Sequence, residues 1–330
     1  MSRLYGRNRL VQTLLEKQQF EDNLANFDKS EWYAVNSNSL PFHLQSSFIE
    51  MEADQETESF LDYCREVSDS LCLQIFYDIA SAVLSLFYTK TCINGILGRG
   101  IMFIFSSTHL SYLFNVESCT ANASMCTAYF ASMTDPYQHG RGAVLDLGAG
   151  DGNITEKFRP YFDALYATET SPIMQRRLRN RGIKVLAIDD WWRLDKDDIP
   201  RFRLISCLNL LDRHTQPLTL LRQLHTKARA DEALVLLAVV LPWSQYVEYQ
   251  VQDSSGRTTT SNQPLESIVI EGQSFEAQLT RLVEQVLQPN GFQVVRWTRL
   301  PYLCEGDLNR SLYWLDDAVL LLKAVDPIAE

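Results

Sequence analysis

An apolar run, Val144-Leu-Asp-Leu147, leads directly into Gly148-Ala-Gly-Asp-Gly-Asn153, with a glycine at every second position from 148 to 152. Glycine enters the left-handed backbone region at little cost and lets a bulky ligand approach with no Cβ in its path. A helix after such a turn also offers N–H groups that lack intrahelical partners. The stretch therefore has the form of a nucleotide-cradling turn. A dinucleotide fingerprint spaces its glycines G-x-G-x-x-G, whereas here the spacing is G-x-G-x-G with Asp146 two residues before the first glycine. An acid at that point opposes a pyrophosphate but suits the cationic amino-acid end of S-adenosylmethionine, or its hydration shell. Asp146, Gly148 and Gly150 are thus candidates for holding that methyl donor. The competing reading is a turn that only packs strand against helix.

Three later stretches extend the pattern. Ala164-Leu-Tyr-Ala-Thr-Glu169 reads as a second buried strand ending in an acid, 17 residues beyond Gly152. In a Rossmann-like sheet an acid at this place accepts hydrogen bonds from both ribose hydroxyls, which makes Glu169 a donor-binding candidate. A third strand over Lys184–Asp189 ends beside Asp189 and Asp190, and either acid, or the backbone next to it, is placed to read the adenine amino group. The fourth, Phe202 to Asp212, brings Asn209 and Asp212 to the carboxyl end of the sheet, where open α/β sheets bind ligands. Against this stand plainer roles, a helix cap for Asp212 and a loop tie for Asn209.

The elements needed to position these residues are also readable. Helical patterns cover 154–159, 173–181, 217–228 and 275–288, a fifth strand covers 233–241, and two terminal strands cover 292–297 and 318–323. This alternation predicts an α/β fold, a class I Rossmann-like seven-stranded methyltransferase sheet whose final strand runs antiparallel, with an N-terminal helical extension. The expected organisation is an irregular, partly helical segment over 1–45, a helical layer with a lid over 46–139, and the methyltransferase domain over 140–330. Within the layer, Ile93-Asn-Gly-Ile-Leu-Gly-Arg-Gly100 sets three glycines around Arg99. It reads equally as a lid across the donor, with Arg99 paired to an acid or to the donor's carboxylate, or as a structural turn. Residues 71–87 carry Gln74, Asp78, Ser81 and Ser85 on one stripe opposite Ile75, Ile79, Val83 and Phe87, which predicts an amphipathic helix docked on protein by its apolar side. Asp253–Pro264 reads as a mobile loop.

Composition narrows the class. The 330 residues are 46% hydrophobic, enough for one large α/β core with an appendage. A net charge of −11 argues against a broad phosphate-binding surface and hence against nucleic-acid partners. The seven cysteines include no C-x-x-C pair, so neither a zinc site nor a disulfide framework is expected. Charged residues punctuate the first 30 positions, so no signal peptide is expected, and no bilayer-spanning segment is expected elsewhere.

Five segments together resemble the DREV family, also called methyltransferase-like protein nine. They are Ile93–Gly100, Leu145-Asp-Leu-Gly-Ala-Gly-Asp-Gly152, Ser206-Cys-Leu-Asn-Leu-Leu-Asp-Arg213, Thr298-Arg-Leu-Pro-Tyr-Leu-Cys-Glu-Gly-Asp307 and Leu315-Asp-Asp-Ala-Val319. The match runs from about residue 71 to about residue 325, and its third and fourth segments are far more specific than the glycine turn. The resemblance implies a protein-histidine methyltransferase acting on Nπ (Nδ1) at His-x-His motifs with a small middle residue. It implies donor contacts at Asp146, Gly148, Gly150 and Glu169, and a substrate pocket with Asn209 and Asp212, Asn209 facing the donor as well. Tyr313 falls on the family's late pocket aromatic, although Asn309-Arg-Ser-Leu312 before it departs from the family pattern. The hydrophobic leader of some relatives is not expected from the first residues of this sequence, and their endomembrane location is not carried over.

Imidazole, with an unperturbed pKa of about 6.5, is largely neutral at pH 7 and needs the right tautomer more than a base. To methylate Nδ1 the proton must sit on Nε2 and find an acceptor, for which Asp212 and the Asn209 oxygen are the candidates. The five histidines, at 43, 109, 139, 214 and 225, form no His-x-His, so the expected partners are other proteins, including histidine-rich metal-binding ones. A small-molecule methyltransferase and a noncatalytic interaction protein are the competing expectations. An amine or glutamine methyltransferase of the Asn/Asp-Pro-Pro-Tyr type is disfavoured, because Asn209-Leu-Leu-Asp212 occupies that turn.

Overall fold

The computed structural model describes residues 9–114, 142–194, 199–247, 249–252, 258–261 and 263–326. The chain opens with α1 (Arg9–Ala25), α2 (Phe42–Ser47), α3 (Gln55–Asp69), α4 (Leu71–Leu84), α5 (Lys90–Leu97), β1 (Met102–Phe103) and α6 (Ser107–Phe114). It continues with β2 (Ala143–Leu147), β3 (Ala164–Thr168), α7 (Pro172–Asn180), β4 (Lys184–Val185), β5 (Phe202–Leu208), α8 (Pro217–Asp231) and β6 (Leu234–Leu241). A hairpin of β7 (Tyr249–Gln252) and β8 (Thr258–Ser261) follows, then α9 (Phe275–Arg281), β9 (Phe292–Glu305) and β10 (Leu312–Ala324).

One sheet holds eight of the strands in the order β1-β9-β10-β6-β5-β2-β3-β4. Strands β4, β3, β2, β5 and β6 run parallel, and β10 is antiparallel to both β6 and β9. The expected Rossmann-like sheet is present, with the two-residue β1 as an eighth, edge strand. The parallel strands read as unbroken apolar runs because both faces are covered. In β6, Val235, Leu237, Val239 and Leu241 enter the core under α8 and α9, while Leu234, Leu236 and Ala238 enter the core under the N-terminal helices.

From β2 the chain winds outward through β3 to β4, then returns to place β5 on the other side of β2. The order reverses between β2 and β5, so their carboxyl ends diverge and leave a crevice. Opposite the crevice, β5 is secured at its start. Phe202 N donates to Asp231 Oδ2 at 2.9 Å, and that carboxylate also pairs with Lys227 Nζ at 3.1 Å, both side chains being buried.

Several local expectations need correction. The helix expected over 154–159 is a single 3₁₀ turn, Thr155–Phe158. The third strand stops at Val185 because it lies at the sheet edge with one neighbour, and the chain then turns so that Trp191 packs into the core. The two terminal strands are much longer than expected, since their outer halves leave the parallel sheet to pair with each other and with β1. Part of the stretch expected as a loop forms the β7–β8 hairpin, consistent with the β-branched Thr258-Thr-Thr260; residues 253–257 and 262 lie outside the described residues.

The helix over 71–84 does not dock by its expected apolar side, and of its polar stripe Gln74 turns inward while Asp78 and Ser85 stay exposed. Gln74 is 1% exposed and donates to Val67 O at 2.9 Å, filling a carbonyl that the last turn of α3 leaves without an intrahelical partner. Ile75, Ile79 and Val83 face out at 43%, 63% and 57% exposure, so hydrogen bonding rather than hydrophobicity decided the inward face. No single described helix is long and apolar enough to cross a membrane.

The Lys227–Asp231 pair yields a stability prediction. Lys227→Met removes the cation and leaves the Asp231 carboxylate buried with the Phe202 N–H, a loss of about 3–5 kcal/mol for a broken buried pair. Urea unfolding should show this as a lower midpoint at unchanged slope; a shift below about 1 kcal/mol would mean the pair is effectively solvated.

Candidate active site

At the end of β2 the chain takes three left-handed glycines, Gly148, Gly150 and Gly152, with φ of 68°, 56° and 84°. Each does something different. Gly148 is exposed and leads the turn, its N–H donating to Thr168 O at 3.0 Å. A Cβ on Gly150 would meet nothing within 4 Å, so open space faces the turn at this point. Gly152 is buried, and a Cβ there would come within 2.9 Å of Leu178 on α7, so this glycine allows close packing of turn on helix.

Glu169, 8% exposed, ties the turn to the next loop. Its Oε2 accepts from Gly150 N at 3.0 Å and its Oε1 from Ser171 N at 2.8 Å, with Thr170 Oγ1 at 3.2 Å. A carboxylate has about four acceptor positions, so the group that fixes the turn can also accept from a ligand. Asp146 lies deeper, 2% exposed, with Thr155 Oγ1 donating to Oδ2 at 2.5 Å and Ser206 Oγ donating to Oδ1 at 2.7 Å. Burial pushes its carboxyl up to about 6, the two hydroxyls oppose the rise, and the nearby Glu169 charge adds to it. The structure thus places Asp146 beneath the turn and Glu169 on its rim.

Across the crevice, β5 ends in Asn209, a non-glycine residue with φ of 50°. Asparagine tolerates this region better than most residues. Its N–H donates to Ala238 O at 3.0 Å and its Nδ2 donates to Asp317 Oδ2 at 2.8 Å, so neighbouring β6 and β10 hold backbone and side chain alike. Asp212 follows in a 3₁₀ turn, Leu211–Arg213, 2% exposed, with Oδ2 3.1 Å from Arg213 Nε. Burial raises its carboxyl above the ordinary range and the Arg213 guanidinium counters this. Asn209 Oδ1, Asp212 Oδ1 and Asp317 Oδ1 are all buried and have no hydrogen-bond partner among the described residues. A cleft of about 370 Å³ opens beside Asp212, lined also by Arg213, Pro242, Tyr246 and Leu315 among others.

With this geometry in hand, comparison with known proteins is decisive at one level. The family model described as DREV methyltransferase matches residues 32–324. The chain belongs to the DREV methyltransferase family. Solved structures with similarity include ribosomal protein L11 methylase from Lactobacillus delbrueckii subsp. bulgaricus (16% identity over 62% of this chain and 81% of that one, TM-score 0.32). Another is the 1,6-didemethyltoxoflavin-N1-methyltransferase of Burkholderia thailandensis with its substrate and S-adenosylhomocysteine (17%, 84% and 93%, TM-score 0.34). A third is the glycopeptide N-methyltransferase MtfA complexed with sinefungin (20%, 63% and 97%, TM-score 0.33).

In this DREV chain the remaining residues singled out by sequence are more dispersed. Asp189 is exposed on the turn after β4, and Asp190 is half-buried with Arg193 Nη1 3.6 Å away. Tyr313, at the start of β10, is 40% exposed and donates its hydroxyl to Asp307 Oδ2 at 3.2 Å, four residues along the strand from Asp317. Arg99 lies over the Tyr77 ring, 5.1 Å from its centroid, at the end of a helix that packs on α7 through Gly95. Sequence reasoning assigned no role to Thr155, Ser206 or Asp317. For the last a signal existed: an acid followed by Ala-Val-Leu-Leu-Leu in a strand both of whose neighbours are central.

Asp146 supplies a pH prediction. Its folded pKa of about 6 lies above the ordinary value of 3.8, so the folded state binds this proton more tightly than the unfolded one. The stabilisation it gives is complete below the lower value and is lost as pH climbs through the higher one. Melting temperatures taken between about pH 4 and about pH 7 should therefore move in favour of Asp146→Asn over the parent as pH rises; a gap that is flat or moves the other way contradicts the assignment.

Proposed function

We propose that this chain transfers a methyl group from S-adenosylmethionine to Nδ1 (Nπ) of histidine in other proteins, at His-x-His motifs with a small middle residue, producing 1-methylhistidine. The observation that carries the reading is the pair of buried, unpartnered acceptor oxygens at the end of β5, Asn209 Oδ1 and Asp212 Oδ1. Unsatisfied acceptors in such a position suit a ligand that brings N–H groups and gains positive charge.

The residues around the glycine turn fit the donor. Open space at Gly150, the exposed backbone at Gly148 and the remaining lone pairs of Glu169 give room for a nucleoside and acceptors for its ribose hydroxyls. Asp146 braces that turn from beneath, and Asp189 or Asp190 stands near the end of β4 for the adenine. When bound, the donor supplies a methyl group made electrophilic by its sulfonium.

The chain's own work is then alignment and tautomer control. Either Asp212 Oδ1 or Asn209 Oδ1 accepts the Nε2–H of imidazole, which turns the Nδ1 lone pair away from the pocket wall. Holding reactants in register is worth up to about 7–11 kcal/mol in ideal cases, and part of that is the benefit of this grip. As the ring takes on positive charge, the Asp212 carboxylate stabilises it more than the neutral amide does. The open cleft beside Asp212 leaves space for chain on either side of the target residue. A small-molecule acceptor is the alternative that an assay must separate.

Incubation with labelled donor and a His-Ala-His peptide should give the Nδ1 isomer of methylhistidine, resolved from the other isomer by chromatography. Methylation of metabolites alone, or of the other nitrogen, overturns the reading. Asp212→Ala should lower kcat by on the order of 10²-fold with donor binding intact, and Asp212→Asn should lie between the two. Glu169→Ala should weaken donor binding about tenfold or more in calorimetry, the scale of a hydrogen bond to a charged group, and unaltered affinity would refute the ribose contact.

A further inference from the structure

We propose that Asp317 is the positioning residue of the substrate pocket: it accepts the Asn209 Nδ2–H and so fixes the Asn209 amide with its oxygen toward the substrate nitrogen. The proposal rests on the acceptor role of Asn209 put forward above. A side-chain amide has a donor end and an acceptor end of nearly equal size, so shape alone does not select which end faces the pocket. Asp317 Oδ2, 2.8 Å from Nδ2, selects it as long as that oxygen carries no proton, because the opposite orientation would then set two acceptor oxygens against each other.

The contact joins two distant parts of the chain. Asn209 ends β5, whereas Asp317 sits in β10 opposite Val240 of β6 and Leu300 of β9, with no exposed surface at all. Its neighbours on the same strand, Val319 and Leu321, are apolar and fully buried. A leucine would continue that pattern, and a buried carboxyl is costly when it is not fully satisfied. Asp317 Oδ1 has no hydrogen-bond partner among the described residues, so among them the one hydrogen bond this side chain makes is with Asn209. Burial holds its carboxyl well above the ordinary range while the Asn209 amide pulls the other way. Whether ionised or protonated on Oδ1, the group still accepts through Oδ2.

Selective labelling of asparagine side chains with nitrogen-15 tests this directly, the Asn209 signals being assigned by their loss in Asn209→Ala. The parent protein should show two resolved Asn209 amide protons protected from exchange. Asp317→Leu, which fills the space without accepting, should raise their exchange at least tenfold, and Asp317→Asn, which keeps an acceptor, should restore protection. With the His-Ala-His peptide, Asp317→Leu should lower kcat about tenfold in the parent and by less than twofold in Asn209→Ala, with donor affinity unchanged in calorimetry. Unchanged amide protection in Asp317→Leu, or equal losses of kcat in both backgrounds, overturns the proposal. The exchange measurement needs no substrate, so a parent protein inactive on the peptide refutes the histidine reading while this one is still decided by the amide signals.

Discussion

Two parallel strands that lie side by side but whose following segments depart in opposite directions impose the constraint on which the site depends. Beyond Leu147 the chain bends toward β3, and beyond Leu208 it bends toward β6, so the described segments that follow the two strands part from each other. Asp146 is the cross-tie beneath that space. By taking the Thr155 hydroxyl on one oxygen and the Ser206 hydroxyl on the other, it joins the glycine turn to β5. The glycine-turn side and the β5 side of the crevice are thereby set relative to one another by a side chain that is itself almost wholly inside.

The antiparallel pair β9 and β10 carries the second half of the design. They complete the sheet and also hold the N-terminal layer: Trp297 donates its indole N–H to Leu44 O at 2.8 Å, and Ile49 N–H donates to Trp297 O at 2.9 Å. Arg299 reaches Ala34 O at 2.6 Å. Trp32, Phe27 and Phe20 gather around Trp314 of β10. The layer is therefore packed onto the same strand that presents Asp317 to Asn209, which couples placement of the pocket to docking of residues far upstream.

The order of strands and helices was legible in the sequence because buried parallel strands must be apolar on both faces and because turns need glycine. Asp146, Glu169, Asn209 and Asp212 stood out for the same reason, as polar residues at the ends of apolar runs. Asp317 did not, since its role comes from a partner 108 residues away and a register that only the folded sheet defines. The inward turn of Gln74 on α4 was hidden likewise. Gln74 counts as polar in any periodicity argument, yet a single open carbonyl on Val67 offers it a better place inside than water does outside. Local pattern ranks residues by polarity, whereas the fold ranks them by whether their hydrogen bonds are met.

Charge explains why the crevice is built from so many partly satisfied acids. Asp146, Asp212 and Asp317 are all held above the ordinary carboxyl range, each chiefly by burial, and Asp317 also by the charge of Asp212. Among the described residues only Arg213 forms an ion pair with any of the three. A cluster of this kind carries an electrostatic cost that a cation relieves, and relief grows with the amount of positive charge delivered. In the reaction proposed above, a neutral ring becomes cationic during methyl transfer and delivers that charge as the reaction proceeds. On that proposal the site interacts more strongly with the charged product-like state than with the neutral reactant, which is the differential binding that lowers a barrier rather than merely retaining a ligand.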